Sequence, residues 1–302
     1  MMGDAELGVI IVSWNVRDLL RLCLTSLLHD LDSEQVGIKA RVIVVDSASR
    51  DDTPAMVREL FPSVELIVCE QNVGFVKGNN LGAERLGIGV RPGEATAPVA
   101  PPFVWLLNPD TEVRPGATKS LLEFMRSHAR CGMCGPRLLN PDGTLQHGAF
   151  AFPGLVQLAL ETQPVLWRFR GGSLDGRYPA ERYEQLAPSR EAAKPFQIGH
   201  PLGAAMFART EAIAQVGMLD PGYEMYAEEV DWAMRMKRAG WERWCVPSAT
   251  VVHYGGASSG QASDRAERVK WRSRHRYYAL HYSPLKRWLA LLLVPPAYRA
   301  DA

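Results

Sequence analysis

The 302-residue chain has no run of about 18 consecutive apolar residues, so no segment reads as a bilayer-spanning helix. A signal-peptide pattern is missing too. Asp4 and Glu6 precede an apolar run, Gly8 to Val12, that is too short for the hydrophobic core of one. Cysteine is sparse and irregular: Cys23, Cys69, Cys131, Cys134 and Cys245. That odd, scattered set argues against a disulfide framework and for a reducing compartment. Cys131 and Cys134 form a lone CxxC. Zinc would need two further ligands, so the pair reads as small buried residues on a strand. A surplus of one charge is also absent. The formal net charge is +1, which gives no global case for nucleic-acid binding. No glycine-rich loop follows the first apolar run, which passes into Ser13-Trp14-Asn15. A nicotinamide dehydrogenase or a nucleotidyltransferase would need one there.

What is present is an alternation of short apolar strands and amphipathic helices, the pattern of a parallel sheet. Strands are predicted at Gly8–Trp14, Arg41–Val45, Val64–Cys69, Phe103–Leu107, Cys131–Leu139 and Leu202–Phe207. Asn15 is placed to cap the first helix, and Thr53 before Pro54 to cap the second. Gly74 suits the tight entry to a third helix, and Gly78 a close approach of backbone or ligand. Arg114-Pro115 opens another helix. Asn140-Pro141-Asp142-Gly143 predicts a hairpin. From Phe152 to Phe196 the pattern weakens and reads as an irregular insertion or lid. Gly87 to Pro102 and Gly255 to Gly260 read as loops.

Ligands of such sheets bind outside the carboxyl ends of the strands. Asp46 and Asp110 stand at two such ends. Asp46 can accept hydrogen bonds from a ribose hydroxyl or a base N–H. Asp110, in the rigid turn Asn108-Pro109-Asp110, is placed to hold a divalent cation, for which magnesium and manganese favour carboxylate oxygen. Asn79 and Asn80 are poor helix formers, which suggests amides kept for ligand contacts.

The organising stretch is Leu219 to Gly256. A turn, Asp220-Pro221-Gly222, leads to three acids, Glu228, Glu229 and Asp231. A helix is predicted from near Glu229 to a cap at Gly240. A short strand, Ala249 to His253, ends in histidine. Acids in a helix's first turn also complement its dipole, and Asp231 with Arg235 is spaced for an ion pair. Residues 229 and 231 of a helix point about 200° apart, so the two cannot face one pocket. Beyond them, Arg265 to Trp288 interleaves basic and aromatic residues and ends in an apolar segment, Leu289 to Val294. This suggests a membrane surface or a diphosphate as partner.

Several motifs stand in order: Val12-Ser13-Trp14-Asn15, Val45-Asp46-Ser47-Ala48-Ser49, Asn72-Val73-Gly74-Phe75 with Asn79, Leu107-Asn108-Pro109-Asp110, Gly203-Ala204, and Glu228-Glu229-Val230-Asp231 with His253. In this order the chain, from Val9 to Gly256, resembles a family-2 inverting glycosyltransferase of the GT-A type, near the bacterial rhamnosyltransferase-like branch. The resemblance implies an α/β fold with a mixed, mostly parallel, Rossmann-like sheet over residues 1–260; the basic amphipathic run beyond it reads as a helical extension over 261–302. It implies a nucleoside-diphosphate-sugar donor held by Ser13, Asn15, Asp46, Ser47, Asn72, Gly74, Lys77, Asn79, Asn108 and Asp110. A divalent cation, Mg2+ or Mn2+, would sit on Asp110 and His253. Asn108 replaces the first Asp of the usual DxD motif. Glu229 stands where the family's Glu-Asp-x-Asp carries its base, with Glu228 and Asp231 as alternatives. The implied reaction moves a sugar, rhamnose by the branch, to a hydroxyl of a glycan or lipid-linked acceptor in cell-surface polysaccharide synthesis. The cysteine pattern suits the cytoplasm for this reaction, and the basic-aromatic run from Arg265 to Trp288 suggests peripheral contact with the cytoplasmic face of the membrane. A protein that binds sugar nucleotides without transfer is the rival reading.

Overall fold

The computed structural model describes residues 5–32, 38–89, 99–170, 173–183, 193–255 and 263–301. Its strands are β1 (Leu7–Ser13), β2 (Ala40–Asp46), β3 (Glu65–Val68), β4 (Phe103–Leu107), β5 (Thr111–Val113), β6 (Cys131–Leu139), β7 (Leu145–Gln146), β8 (Ala149–Phe150), β9 (Phe196–Gln197), β10 (His200–Pro201), β11 (Ala205–Arg209) and β12 (Glu242–His253). The main sheet runs β3-β2-β1-β4-β11-β6-β12-β5, with β7 beside β6 and β9 beside β12. β1 pairs in parallel with β2 and β4, β2 with β3, and β6 with β12. β11 is antiparallel to β4 and β6, and β5 to β12. The fold is therefore α/β with a mixed, mostly parallel sheet. β8 and β10 form a small second sheet.

Helices cover both faces: α1 (Arg17–Asp32), α2 (Thr53–Leu60), α3 (Gly74–Arg85), α4 (Ala117–Ser127), α5 (Leu155–Thr162), α6 (Thr210–Val216), α7 (Glu228–Arg238), α8 (Ser263–His281) and α9 (Pro284–Leu293). Successive side chains of a strand point to opposite faces. Val9, Ile11 and Trp105 accordingly pack with Leu20, Leu24 and Leu121 of α1 and α4. Ile10, Val104 and Leu106 pack on the other side with Val76, Ile213, Trp232 and Met236 of α3, α6 and α7. Trp271, Tyr277 and Tyr278 of α8 join that second core.

Close packing sets the height of α3 over β1. A Cβ on Gly78 would lie 2.7 Å from Val12, and one on Gly82 would lie 2.4 Å from Ile10. The neighbour that Gly78 admits is thus a strand side chain, not a ligand. Gly74 enters α3 at φ 75, as its position in the sequence requires.

Several local expectations are corrected. Asn15 does not cap α1. Its backbone is left-handed (φ 52), its side-chain oxygen accepts the Arg50 N–H at 2.7 Å, and Asp51 takes the Arg17 N–H at 2.9 Å. Asp52, not Thr53, is the cap position of α2, and the Thr53 hydroxyl donates to Asp51 at 2.6 Å. β12 begins at Glu242, seven residues before the predicted strand, and its register shifts between Val246 and Thr250 around Pro247. The Phe152–Phe196 segment contains α5 and three short 3-10 helices, at Pro164–Phe169, Ser173–Asp175 and Ala180–Arg182. The predicted loops at 87–102 and 255–260 fall largely on 90–98 and 256–260, which lie outside the described residues.

Candidate active site

Three groups of residues meet at the carboxyl edge of the sheet. The first is at the ends of β1 and β2, where Ser13 and Asp46 lie opposite each other in register. The two following loops are stitched together: Ser47 N–H donates to the Ser13 carbonyl at 2.8 Å, and Asn15 N–H to Ser49 Oγ at 2.9 Å. Asp46 is fully buried. One of its oxygens accepts the Ser49 N–H at 3.0 Å, and the other has no protein partner. Ser13 Oγ is likewise buried and unpartnered. A buried polar atom left without a partner costs about 1–3 kcal/mol, so two such atoms at adjacent strand ends are suited to accept bonds from a ligand.

Other residues expected in this site hold the frame. Ser47 Oγ donates to Asn72 Oδ1 at 3.0 Å and accepts the Val73 N–H at 2.8 Å, while Asn72 also takes the Gly74 N–H at 2.9 Å. Together they fix the entry of α3. Lys77 is exposed on its first turn. Asn79 donates to the Phe75 carbonyl at 2.9 Å and Asn80 to the Leu219 carbonyl at 2.8 Å, while Asn80 Oδ1 is buried without a partner.

The second group is built on the turn after β4. Asn108 N–H donates to the Ala204 carbonyl at 2.9 Å, and Asn108 Oδ1 is buried without a partner. Asp110 is buried, with its carbonyl accepting the Tyr254 N–H at 2.9 Å. His253 ends β12 opposite Thr111 of β5, which brings its ring to Asp110: Nε2 lies 3.4 Å from Asp110 Oδ1. The ring's other nitrogen, Nδ1, is 2.8 Å from Gln146 Oε1. A carboxamide oxygen only accepts, so Nδ1 is the donor in this bond and Nε2 is the ring nitrogen that faces the carboxylate. Gln146 is itself held, donating to Asn140 Oδ1 at 3.0 Å. An oriented imidazole beside a carboxylate fits a hard or borderline divalent cation. Among the described residues no third His, Cys, Asp or Glu joins them, so a cation there would take its remaining ligands from bound substrate or water.

The third group begins α7. Tyr226 (φ 69) and Ala227 (φ 64) are both left-handed, a conformation that costs a non-glycine residue roughly 1–2 kcal/mol. The helix begins directly after these two residues, so Glu228 and Glu229 open its first turn. Glu228 is buried, and its carboxyl lies 4.0 Å from where Gly203 would carry a Cβ. Gly203 adjoins Ala204, the acceptor of the Asn108 N–H, so a short chain of contacts links the acid pair to the Asp110 turn. Each glutamate has one buried carboxyl oxygen without a partner. Burial, and then the Glu229 charge, push the Glu228 pKa well above the carboxylate range. Burial pushes Glu229 up to about 7, against backbone N–H groups of α7 and the Arg274 cation, which pull it down.

Asp231 points elsewhere. Its oxygens accept from Arg235 Nε and His281 Nε2, both at 2.7 Å. Burial would raise its pKa, but the His281 hydrogen bond and the Arg235 charge outweigh it, and the carboxyl stays below its ordinary range. Arg235 also reaches the Met218 carbonyl at 2.9 Å. This knot ties α7 to α8 and to the turn before the acids.

Sequence reasoning missed Gln146 and His281. Each meets its partner from far along the chain, and the only local signal for Gln146 was a polar residue just past the predicted hairpin.

The family model for "Glycosyl transferase family 2" matches residues 8–148, which include the first group and, of the second, the Asn108–Asp110 turn and Gln146 but not His253. Two relatives, both N-acetylglucosaminyl-diphospho-decaprenol L-rhamnosyltransferases of Mycobacterium tuberculosis (strains CDC 1551 / Oshkosh and ATCC 25618 / H37Rv), are 32% identical over 223 residues, 73% of this chain and 68% of theirs. GalNAc-T7 with UDP, GalNAc and Mn2+ superposes with a TM-score of 0.63 at 15% identity, over 94% of this chain and 49% of that one; this chain thus spans about half its length. The mannosyltransferase PcManGT from Pyrobaculum calidifontis, in complex with GDP-Man and Mn2+, superposes at 0.57 with 13% identity, over 99% of this chain and 74% of that one. These two likenesses carry the GT-A glycosyltransferase fold alone. The carboxyl-edge acids, the motif order and the rhamnosyltransferase relatives converge: the chain is a glycosyltransferase and belongs to family 2.

Proposed function

We propose that the protein transfers a sugar, rhamnose on the strength of its relatives, from a nucleoside-diphosphate donor to a hydroxyl of a lipid-linked saccharide, with inversion at the anomeric carbon. The observation that carries this reading is the unequal pair at the start of α7. Glu228 is buried, and burial with the neighbouring Glu229 charge pushes its carboxyl well above the ordinary range, which favours the protonated form that donates a hydrogen bond. Glu229, near pH 7 and partly exposed, is balanced to take a proton. Asp231, with both oxygens engaged, is left to hold α7 in place.

The buried acceptors Asp46 Oδ1 and Ser13 Oγ would receive hydrogen bonds from the donor's nucleoside. Asp110 and His253 would hold a divalent cation, oriented through Gln146; when bound, it supplies positive charge to the departing diphosphate. Glu229 accepts the proton of the acceptor hydroxyl as that oxygen attacks the anomeric carbon from the face opposite the diphosphate. General-base help of this kind contributes about 10²–10⁴-fold. One displacement by one base gives inversion and needs no covalent intermediate.

The test is Glu229→Gln, assayed with dTDP-rhamnose and an N-acetylglucosaminyl-diphospho-lipid acceptor. Transfer should fall by about 10²-fold or more while nucleotide binding is retained. Nucleotide binding with no transfer by the wild type would leave a sugar-nucleotide-binding protein instead.

A further inference from the structure

The basic and aromatic residues of α8 are mostly engaged within the protein. Lys270 and Arg274 pair with Glu161 of α5, and Arg276 with Asp220. Trp271, Tyr277 and Tyr278 are buried. The helix that follows differs. α9 buries Ala290, yet turns Leu285 (68% exposed), Trp288 (57%) and Leu292 (51%) to solvent. Their spacing of three and four places them in one stripe along the helix, so the apolar stripe faces outward rather than into the core.

A second exposed apolar group lies on the neighbouring element. α5 packs against α9, and the Tyr282 hydroxyl donates to the Pro153 carbonyl at 3.0 Å. The 3-10 helix Pro164–Phe169 packs back on α5 and exposes Val165 (71%), Trp167 (50%) and Phe169 (46%). The charged residues within both segments are all basic, and the nearest acid in sequence, Glu161, is paired with Lys270 and Arg274. Arg168 and Arg170 stand beside Phe169 and Trp167, their guanidinium groups over those rings at 4.8 and 4.6 Å. Lys286 and Arg287 stand beside Leu285 and Trp288. Neither residues 162–170 nor residues 282–294 contain an acid. Outward tryptophans and leucines with cations and no anions match a bilayer interface with anionic headgroups. A protein partner would more commonly meet a mixed-charge rim around such a patch.

We propose that α9 and the Pro164–Phe169 helix together form the surface by which the enzyme sits on an anionic lipid bilayer. The part played by the 164–169 helix has no counterpart in the basic run of the sequence, and the proposal is independent of which sugar or acceptor is used.

The experiment is flotation of the full chain with phosphatidylcholine vesicles, with and without about a third phosphatidylglycerol. The wild type should float with the anionic vesicles and much less with the neutral ones. Trp167→Ser/Phe169→Ser, Trp288→Ser/Leu292→Ser and Lys286→Glu/Arg287→Glu should each lower the bound fraction by about tenfold, with thermal unfolding unchanged. Failure of the wild type to bind anionic vesicles would overturn the proposal, as would variants that bind as the wild type does. A wild type that elutes as a dimer while the apolar variants elute as monomers would also overturn it, making the surface a contact between copies.

Discussion

Replacing Glu229 by glutamine should stabilise the protein at alkaline pH while removing its activity. The wild-type carboxyl titrates near 7 in the folded chain against an ordinary value of 4.5. The folded state therefore holds the proton more tightly than the unfolded state does. The stability linked to that proton is fully present below about pH 4.5, declines as pH rises, and is gone above about 7. At about 1.4 kcal/mol per pH unit, that window sets a ceiling of about 3 kcal/mol on the difference. Glutamine carries no charge to desolvate, so Glu229→Gln should lack this decline. Urea unfolding of both proteins at pH 4, 6 and 8 would measure it. The stability gap should favour the variant by up to about 3 kcal/mol at pH 8 and shrink to little at pH 4. Because Glu228 sits beside it, the two carboxyls titrate as a pair, and the decline belongs to both. The same group should set the acid limb of kcat/KM near pH 7, with activity rising as the carboxylate forms. A gap of constant size across the pH range, or a variant less stable at pH 8, would refute the buried-acid argument.

Asp110→Asn and His253→Ala should each abolish most of the Mn2+-dependent gain in thermal stability on adding a nucleoside diphosphate, and Gln146→Leu should weaken metal affinity by about 10–100-fold; unchanged metal dependence would misplace the site. His281→Ala removes a buried hydrogen bond to the Asp231 carboxylate and should cost about 2 kcal/mol in urea unfolding, with nucleotide binding kept. Gly82→Ala drives a methyl into Ile10 and should cost about 1–3 kcal/mol, read in the same assay.

Much of the fold was legible because strands buried on both faces read as continuous apolar runs. β4 and β6 fall where the sequence placed them, and β1 to within a residue at each end. β12 was seen only from Ala249, since Glu242, Arg243 and Pro247 interrupt its run, and the strand itself changes register there. α5 was hidden because two turns of helix among arginine, proline and aromatic residues carry little periodicity. The acids of the site were visible by position: Asp46 and Asp110 at strand ends, Glu228 and Glu229 at a helix start. What orients them was not. Gln146 lies 107 residues from His253, and His281 lies 50 residues from Asp231. No local pattern predicts such meetings, because the sheet order and the packing of α8 bring them about. The left-handed backbone at Tyr226 and Ala227 was equally unreadable, since neither residue type signals it.

The central claim is a single displacement by a base at the start of α7, and the anomeric configuration of the product tests it most directly. Proton NMR of the saccharide formed by the wild type from a nucleoside-diphosphate sugar of known configuration should show the opposite configuration at the transferred anomeric carbon. Retention of the donor's configuration would contradict the account, because one attack assisted by Glu229 cannot produce it.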